Sequence, residues 1–237
     1  MTERKQGRRS AQDAENTKRE ILKVAADMFC TLGYERVSIR NISEQAGVSH
    51  SLIRHHFGSK EKIWHAISDS LHDFMQEYLK TIIEHIPQNA PANEKLYFFS
   101  VRLLAHMLTF KRPIQLIADA VRQEEGLFDY FIDKSGSLQA IIDEIAAEYN
   151  RDFPDSQIKV WEIKWQMIMF AHGAASLEPF MRETWVDETD SYDQCLLNHW
   201  RLFNDLMMNK YHIPAEKGLK PSSVAELIYK TGYCDNC

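Results

Sequence analysis

With 237 residues, 44% of them hydrophobic and 26% charged, the chain can build one large domain or a small and a medium one, each with a true core. No uninterrupted apolar run approaches the roughly 20 residues that span a bilayer, and the first ten residues lack an apolar signal core, so the expectation is a cytoplasmic protein with no membrane partner. Four cysteines, two of them in the last four residues, argue against a disulfide scaffold and for a reducing compartment.

The net charge of −6 is unevenly distributed. Through Trp64 there are 12 Lys/Arg against 8 Asp/Glu, a balance of +4, while the remainder holds 16 against 26, a balance of −10. A basic module thus precedes an acidic body, and only the former suits approach to a polyanion.

In chain order, residues 1–15 are polar, carry Arg4, Lys5, Arg8 and Arg9, and show no apolar period. They are expected to form a flexible basic arm, either disordered or reaching a groove or phosphate. Thr17 to Glu20 form a capping-box pattern that opens a helix burying Ile21, Leu22, Ala25, Met28, Phe29 and Leu32, and Gly33 stops it. Ser38 caps a second helix with Ile39, Ile42 and Ala46 at helical spacing. Gly47 fits a tight turn needing positive φ, and Ser49 caps a third helix flanked by Val48 and Ile53 at the positions of a hydrophobic staple. Two short helices hinged at Gly47 have the spacing of a helix-turn-helix. The second of them leaves His50, Ser51, Arg54 and His55 on the face that is not apolar, and these side chains suit phosphates and base edges. His56, beside Phe57, fits packing against the first helix, and Arg36 fits a solvated surface.

Ser59 opens a long helix with Ile63, Trp64, Ile67, Leu71, Phe74, Met75, Leu79, Ile82 and Ile83. Beyond Pro87 to Pro91, helical patterns cover about 93–111, 114–124, 127–150, 156–182 and 190–212, and one short helix is expected near Ser222 to Lys230. No alternating strand runs occur, so the fold class is all-α. The domains are expected at 1–15 (arm), 16–62 (helix-turn-helix), 63–213 (large helical domain) and 214–237 (tail).

The N-terminal quarter resembles the TetR (tetracycline-repressor) family through Gly33-Tyr34, Ile42, Ala46-Gly47-Val48-Ser49, Phe57 and Lys60, with Ser59-Lys60-Glu61-Lys62 opening the long helix. The resemblance covers residues 17–66; the other three quarters match only in helical character and length. It implies a two-fold homodimer with an N-terminal DNA-binding domain and a C-terminal ligand and dimerisation domain, usually a repressor. Carried over by position, Ser38 looks like a phosphate contact, Arg40 faces the major groove, and His50, Ser51 and Arg54 look like base readers beside the cap Ser49. His55 and Lys60 look like backbone clamps. The chain departs from the family at Arg54, where Tyr is common, and at Leu52, where Thr or Ser is common. A guanidinium reads guanine O6 and N7 bidentately, so Arg54 is expected to read a G.

In the large half, Val160, Trp161, Trp165, Ile168, Met169 and Ala175 on one segment and Leu196, Leu197, Trp200, Phe203, Leu206 and Met207 on another form wide apolar stripes. The resemblance assigns such stripes to a dimer four-helix bundle, with Trp161, Leu196, Trp200, Phe203 and Met207 as interface candidates. A small-molecule effector pocket is expected among the middle helices from Phe98, Phe99, Arg102, Leu103, His106, Phe110, Trp165, Met169 and His172, although the aromatic and Met residues equally suit plain core, and Arg102, His106 and His172 a structural bond. No cofactor, metal or catalytic motif is expected: there is no phosphate-binding Gly loop, no G-x-S-x-G and no H-E-x-x-H. The terminal Cys234/Cys237 pair is a C-x-x-C without two further ligands, readable as an inert tail, a redox pair or half a metal site. The functional expectation is a dimeric repressor released from a palindromic double-stranded DNA operator by a small apolar ligand; the alternative is an architectural or cell-division factor whose large domain holds a protein.

Overall fold

The computed structural model describes residues 4–123, 126–134 and 136–231, with side chains for all of these except 4–10, 133, 134 and 137. Every regular element among the described residues is helical. Cys234 and Cys237 lie outside them.

The first helix, α1, spans Arg4–Leu32, so residues 4–15 of the expected flexible arm are helical. The correction has a local cause. Residues 4–15 hold no proline and are rich in Arg, Gln and Ala, which accept helical φ/ψ at little entropic cost. The Thr17 hydroxyl donates to the Asp13 carbonyl at 2.8 Å, so Thr17 sits inside the helix instead of capping it. Ile21, Ala25 and Phe29 form the buried stripe, and Leu32, expected inside, is exposed. Gly33 closes the helix at φ +83°, where its N–H meets the Phe29 carbonyl at 3.0 Å.

Next come α2 (Ile39–Gln45), α3 (His50–Phe57), α4 (Lys60–Glu84), α5 (Ala92–Thr109) and α6 (Arg112–Ala120). The 127–150 pattern resolves into α7 (Leu127–Lys134) and α8 (Gly136–Asp152). The 156–182 pattern is a 3-10 turn at Pro154–Ser156, then α9 (Val160–Ser176) and α10 (Glu178–Thr184). Pro179, in the first turn of α10, has no N–H to continue the ladder of α9, which periodicity alone does not register. The last long helix, α11, is Tyr192–Lys210, and the tail holds a 3-10 turn at Val224–Leu227. Among the described residues no helix is long and apolar enough to cross a membrane.

Two compact units emerge. Described residues within Met1–Leu71 and Leu116–Ile132 form the first, and those within His72–Gln115 and Asp133–Asp235 the second. The division cuts α4 after Leu71, α6 after Gln115 and α7 after Ile132. Sequence periodicity put residue 63 onward in the large domain; the structure keeps α4 with the first unit through Leu71 and adds Leu116–Ile132 to it. In the first unit, Ile21, Ala25, Phe29, Ile42, Ile53, Ile63 and Trp64 share one core with Leu116, Ala120 and Leu127. A 40-odd-residue helix trio buries little surface alone, so the added segment enlarges a marginal core.

The second unit is organised around α5, which packs against α8, α9, α11 and the 3-10 turn of the tail. Leu96, Tyr97, Phe99, Val101, Leu104, Ala105 and Leu108 are all buried. The buried Trp200 indole donates to the Val101 carbonyl at 2.8 Å. The Tyr97 hydroxyl donates to Asn204 Oδ1 at 2.6 Å and accepts from the Leu219 N–H at 2.8 Å, which fastens the tail to α5 and α11.

Candidate nucleic-acid interface

The helix-turn-helix is fixed by its caps. The Ser38 hydroxyl accepts the Asn41 N–H at 3.1 Å while Asn41 Oδ1 accepts the Ser38 N–H at 3.0 Å, a reciprocal box that satisfies two donors at the start of α2. Gly47 turns the chain at φ +65°. The Ser49 hydroxyl accepts the Leu52 N–H at 3.2 Å and so caps α3. Ile42, Ile53 and Phe57 are buried beneath these turns, with Val48 packed against the same core.

The opposite face is open. Ser38, Arg40, Ser49, His50, Ser51, Arg54 and His55 are all exposed, so α2 and α3 present one polar surface free of apolar obstruction. His56 is half-buried, its ring 6.2 Å from that of Phe57 and 5.5 Å from that of His55. Arg40 pairs with Glu44 one turn on at 2.9 Å, and that carboxylate's hydrogen bond and charge hold the guanidinium more firmly protonated. A phosphate approaching Arg40 must displace or tolerate Glu44.

Lys60, expected as a backbone clamp, also has partners within the chain. Its ammonium donates to the Tyr34 carbonyl at 3.1 Å and lies 3.8 Å from the centroid of the Tyr34 ring. The same residue's N–H donates to Asp119 Oδ2 at 2.7 Å. Tyr34 is therefore gripped on both sides of its backbone, from α4 and from α6. Sequence reading missed Asp119, because a contact 85 residues away leaves no periodic trace. Nearby, Tyr130 stacks on His65 with centroids 3.7 Å apart and donates to Asp69 Oδ1 at 2.9 Å, which fastens α7 to α4 within the first unit.

Comparison with known proteins agrees with this geometry. Residues 21–67 match the family of bacterial regulatory proteins described as the tetR family. The likeness to that family thus lies in the helix-turn-helix segment, about a fifth of the chain. The transcriptional repressor AcnR of Corynebacterium efficiens is 42% identical to it over 53 residues, which is 22% of this chain and 28% of that protein. The chain thus matches little more than a quarter of that relative's length. Among solved structures, FadR of Bacillus subtilis, a transcriptional regulator in complex with stearoyl-CoA, superposes with a TM-score of 0.55 at 18% identity, covering 77% of this chain and 95% of that one. AibR, in complex with isovaleryl coenzyme A and operator DNA, gives 0.55 at 16% identity, covering 78% and 97%. At such identities the likeness is one of fold, a TetR-type N-terminal domain followed by a larger helical domain.

In the second unit, the pocket candidates do not come together as one group. His106 and Phe110 come together with Phe74 and Tyr78: the His106 ring stacks 3.8 Å from Tyr78 and lies 5.4 Å from Phe74 and 4.6 Å from Phe110. Burial pushes the His106 imidazole down to about 3, so it is neutral. Phe99 and Leu103 are core, Phe98 is half-buried beside Tyr97, and Arg102 donates to the Leu227 carbonyl at 2.9 Å while facing the Tyr229 ring. His172 is 3.1 Å from the Ser176 hydroxyl. Trp165 and Met169 do not join the cluster: Trp165 is 63% exposed and Met169 49%, because residues 161, 165 and 169 fall on the solvent face of α9.

The interface candidates need a matching correction. Trp161 is 58% exposed, but Trp200, Phe203 and Met207 are fully buried and Leu196 nearly so. They fill the chain's own core, Phe203 lying edge-on to Phe170 of α9 at 4.9 Å. The open apolar residues of α11 are Leu202 and Leu206, one turn apart on its other face. The stripe on α11 is wide enough to serve two sides, and composition does not distinguish them.

Proposed function

We propose that this chain is a sequence-specific DNA-binding transcriptional repressor that acts as a homodimer and leaves a palindromic operator when a small, mostly apolar effector binds its second unit. The observation that carries the reading is the exposed polar face of α2 and α3, mounted on a capped, well-packed core within a TetR-family domain. Arg54 and His50 are the base readers in this proposal, with Ser38, Arg40, Ser51 and His55 at phosphates and base edges.

Dimerisation is supported by the exposed Trp161, Trp165 and Met169 on α9 and Leu202 and Leu206 on α11. Residues 161, 165 and 169 stand one turn apart on α9, as do 202 and 206 on α11, and rows of that kind suit a partner helix. A two-fold pair would set two α3 helices on successive major grooves, about 34 to 36 Å apart. The effector acts by preferring one dimer shape, and α4 and α6, which run through both units, are the covalent route for that preference. The complexes of FadR and AibR with acyl-CoA thioesters make those compounds one arm of an effector screen.

Genomic footprinting at two salt concentrations tests the reading. The expected result is a small number of palindromic sites near promoters that persist at the higher salt. Dispersed, salt-labile occupancy without symmetry would contradict it.

A further inference from the structure

Among the described residues, several buried polar side-chain atoms lack a partner, the Tyr78 hydroxyl among them, and His106 stands out because both of its ring nitrogens do. Its side chain is about 1% exposed, and neither ring nitrogen has a hydrogen-bond partner. A neutral imidazole always carries one N–H and one lone pair, and burying both without partners opposes folding. Core packing alone would be served better there by Phe or Leu.

The surroundings define what could answer it. On α5, Arg102 and His106 stand four residues apart on one face, with Phe110 at its C-terminal cap, and on α4 Phe74 and Tyr78 are spaced alike. Phe74, Tyr78 and Phe110 surround the imidazole with aromatic faces, and Phe110, just past the end of α5, is 43% exposed and gives the cluster an edge on solvent. Arg102, one turn away, is already held by the Leu227 carbonyl and the Tyr229 ring. Burial keeps the imidazole neutral, and the Arg102 guanidinium beside Tyr78 is engaged by the Leu227 carbonyl and the Tyr229 ring, so an ionised carboxylate at His106 would lose its hydration for little counter-charge.

We propose that the Phe74, Tyr78, His106 and Phe110 cluster is the specificity subsite of the effector site, and that it takes an uncharged aromatic molecule whose carbonyl or hydroxyl oxygen hydrogen-bonds to His106. Flat rings match the three aromatic walls, and the single oxygen supplies the partner the imidazole lacks. The assignment rests on the effector-regulated reading above and goes beyond it by naming the residue and the ligand chemistry.

Three probes of one skeleton test it: 2-acetonaphthone, 2-ethylnaphthalene and 2-naphthoate. Binding to the full-length protein is measured by calorimetry, with imidazole-15N spectra of His106 recorded in parallel, for the native chain, His106→Phe and His106→Leu. The ketone should bind about five- to ten-fold more tightly than the hydrocarbon, as one hydrogen bond allows, and more tightly than the carboxylate. It should shift a His106 nitrogen, and both variants should lose the preference while still binding the hydrocarbon. No ketone binding, an equal preference in the variants, tighter binding of naphthoate, or a His106 resonance that reports only a retained buried water would overturn the proposal. DNA release, measured separately, distinguishes the two readings. A ketone that binds through His106 without releasing DNA sinks the effector reading alone, and release by the ketone that is unchanged in both variants sinks the subsite alone.

Discussion

The backbone N–H of Tyr34 donates to the Asp119 carboxylate at 2.7 Å, which ties the turn between α1 and α2 to the end of α6. Asp119 is largely shielded, and its Oδ1 stands 3.1 Å from where a Cβ on Gly33 would lie. Gly33 is thus confined twice, by its left-handed φ and by that oxygen.

Removing the carboxylate should leave a shielded N–H without an acceptor. Asp119→Ala is expected to destabilise the first unit by about 1 to 3 kcal/mol, and Asp119→Asn, which keeps an acceptor, by less. Urea denaturation followed by tryptophan fluorescence, with Trp64 in that unit's core, reads the difference. Gly33→Ala should cost roughly 1 to 2 kcal/mol from φ alone. Part of any excess should vanish in the Asp119→Ala background, which a double-mutant cycle measures.

The two faces of α11 separate stability from assembly. Trp200→Ala should cost about 3 to 5 kcal/mol, because it empties a fully buried site and removes the indole's bond to the Val101 carbonyl. Leu202→Glu or Trp165→Glu should leave the melting temperature of the protomer nearly unchanged and yield a monomer by sedimentation velocity. A Trp165→Glu, Leu202→Glu double variant that stays fully dimeric would place the partner surface elsewhere.

Acid should weaken the second unit through His106. Its folded value lies near 3, below the unfolded 6.5, so the unfolded chain binds the proton first as pH falls. Stability is therefore complete above about pH 6.5 and declines toward pH 3, with a slope approaching about 1.4 kcal/mol per pH unit. His106→Phe should flatten that decline in a denaturation series from pH 7 to pH 4, and an unchanged slope would assign the acid sensitivity to other groups.

What the sequence disclosed follows the range of the interactions concerned. Ser38, Gly47, Ser49 and the Ile42, Ile53 and Phe57 core depend on residues three to fifteen apart, and all appear where local pattern put them. So does the outward face from His50 to His55. The recruitment of Leu116, Ala120 and Leu127 into the N-terminal core, the Asp119 contact and the engagement of Lys60 by Tyr34 were hidden, because each joins distant segments. The helical run of residues 4–15 was hidden for the opposite reason: a polar helix without an apolar face shows no period. On α9 and α11, apolar residues surround enough of each helix that periodicity could not separate Trp200, which faces inward, from Leu202, which faces out.

Lys60 and Arg54 should differ in kind. Lys60→Met removes the bond to the Tyr34 carbonyl and the contact with its ring, so it should lower stability by about 1 to 2 kcal/mol before any effect on DNA is considered. Arg54, exposed on α3, has no such structural task, and its loss should leave the melting temperature unchanged.

Equilibrium binding of the native chain and Arg54→Ala to a footprinted site and to random duplex, each across a salt series, is the sharpest test. The exposed recognition surface predicts a loss of about 1 to 3 kcal/mol on the site, little change on random DNA, and the largest loss at a G·C pair. Equal weakening on both duplexes, or no preference for the site in the native chain, would contradict it.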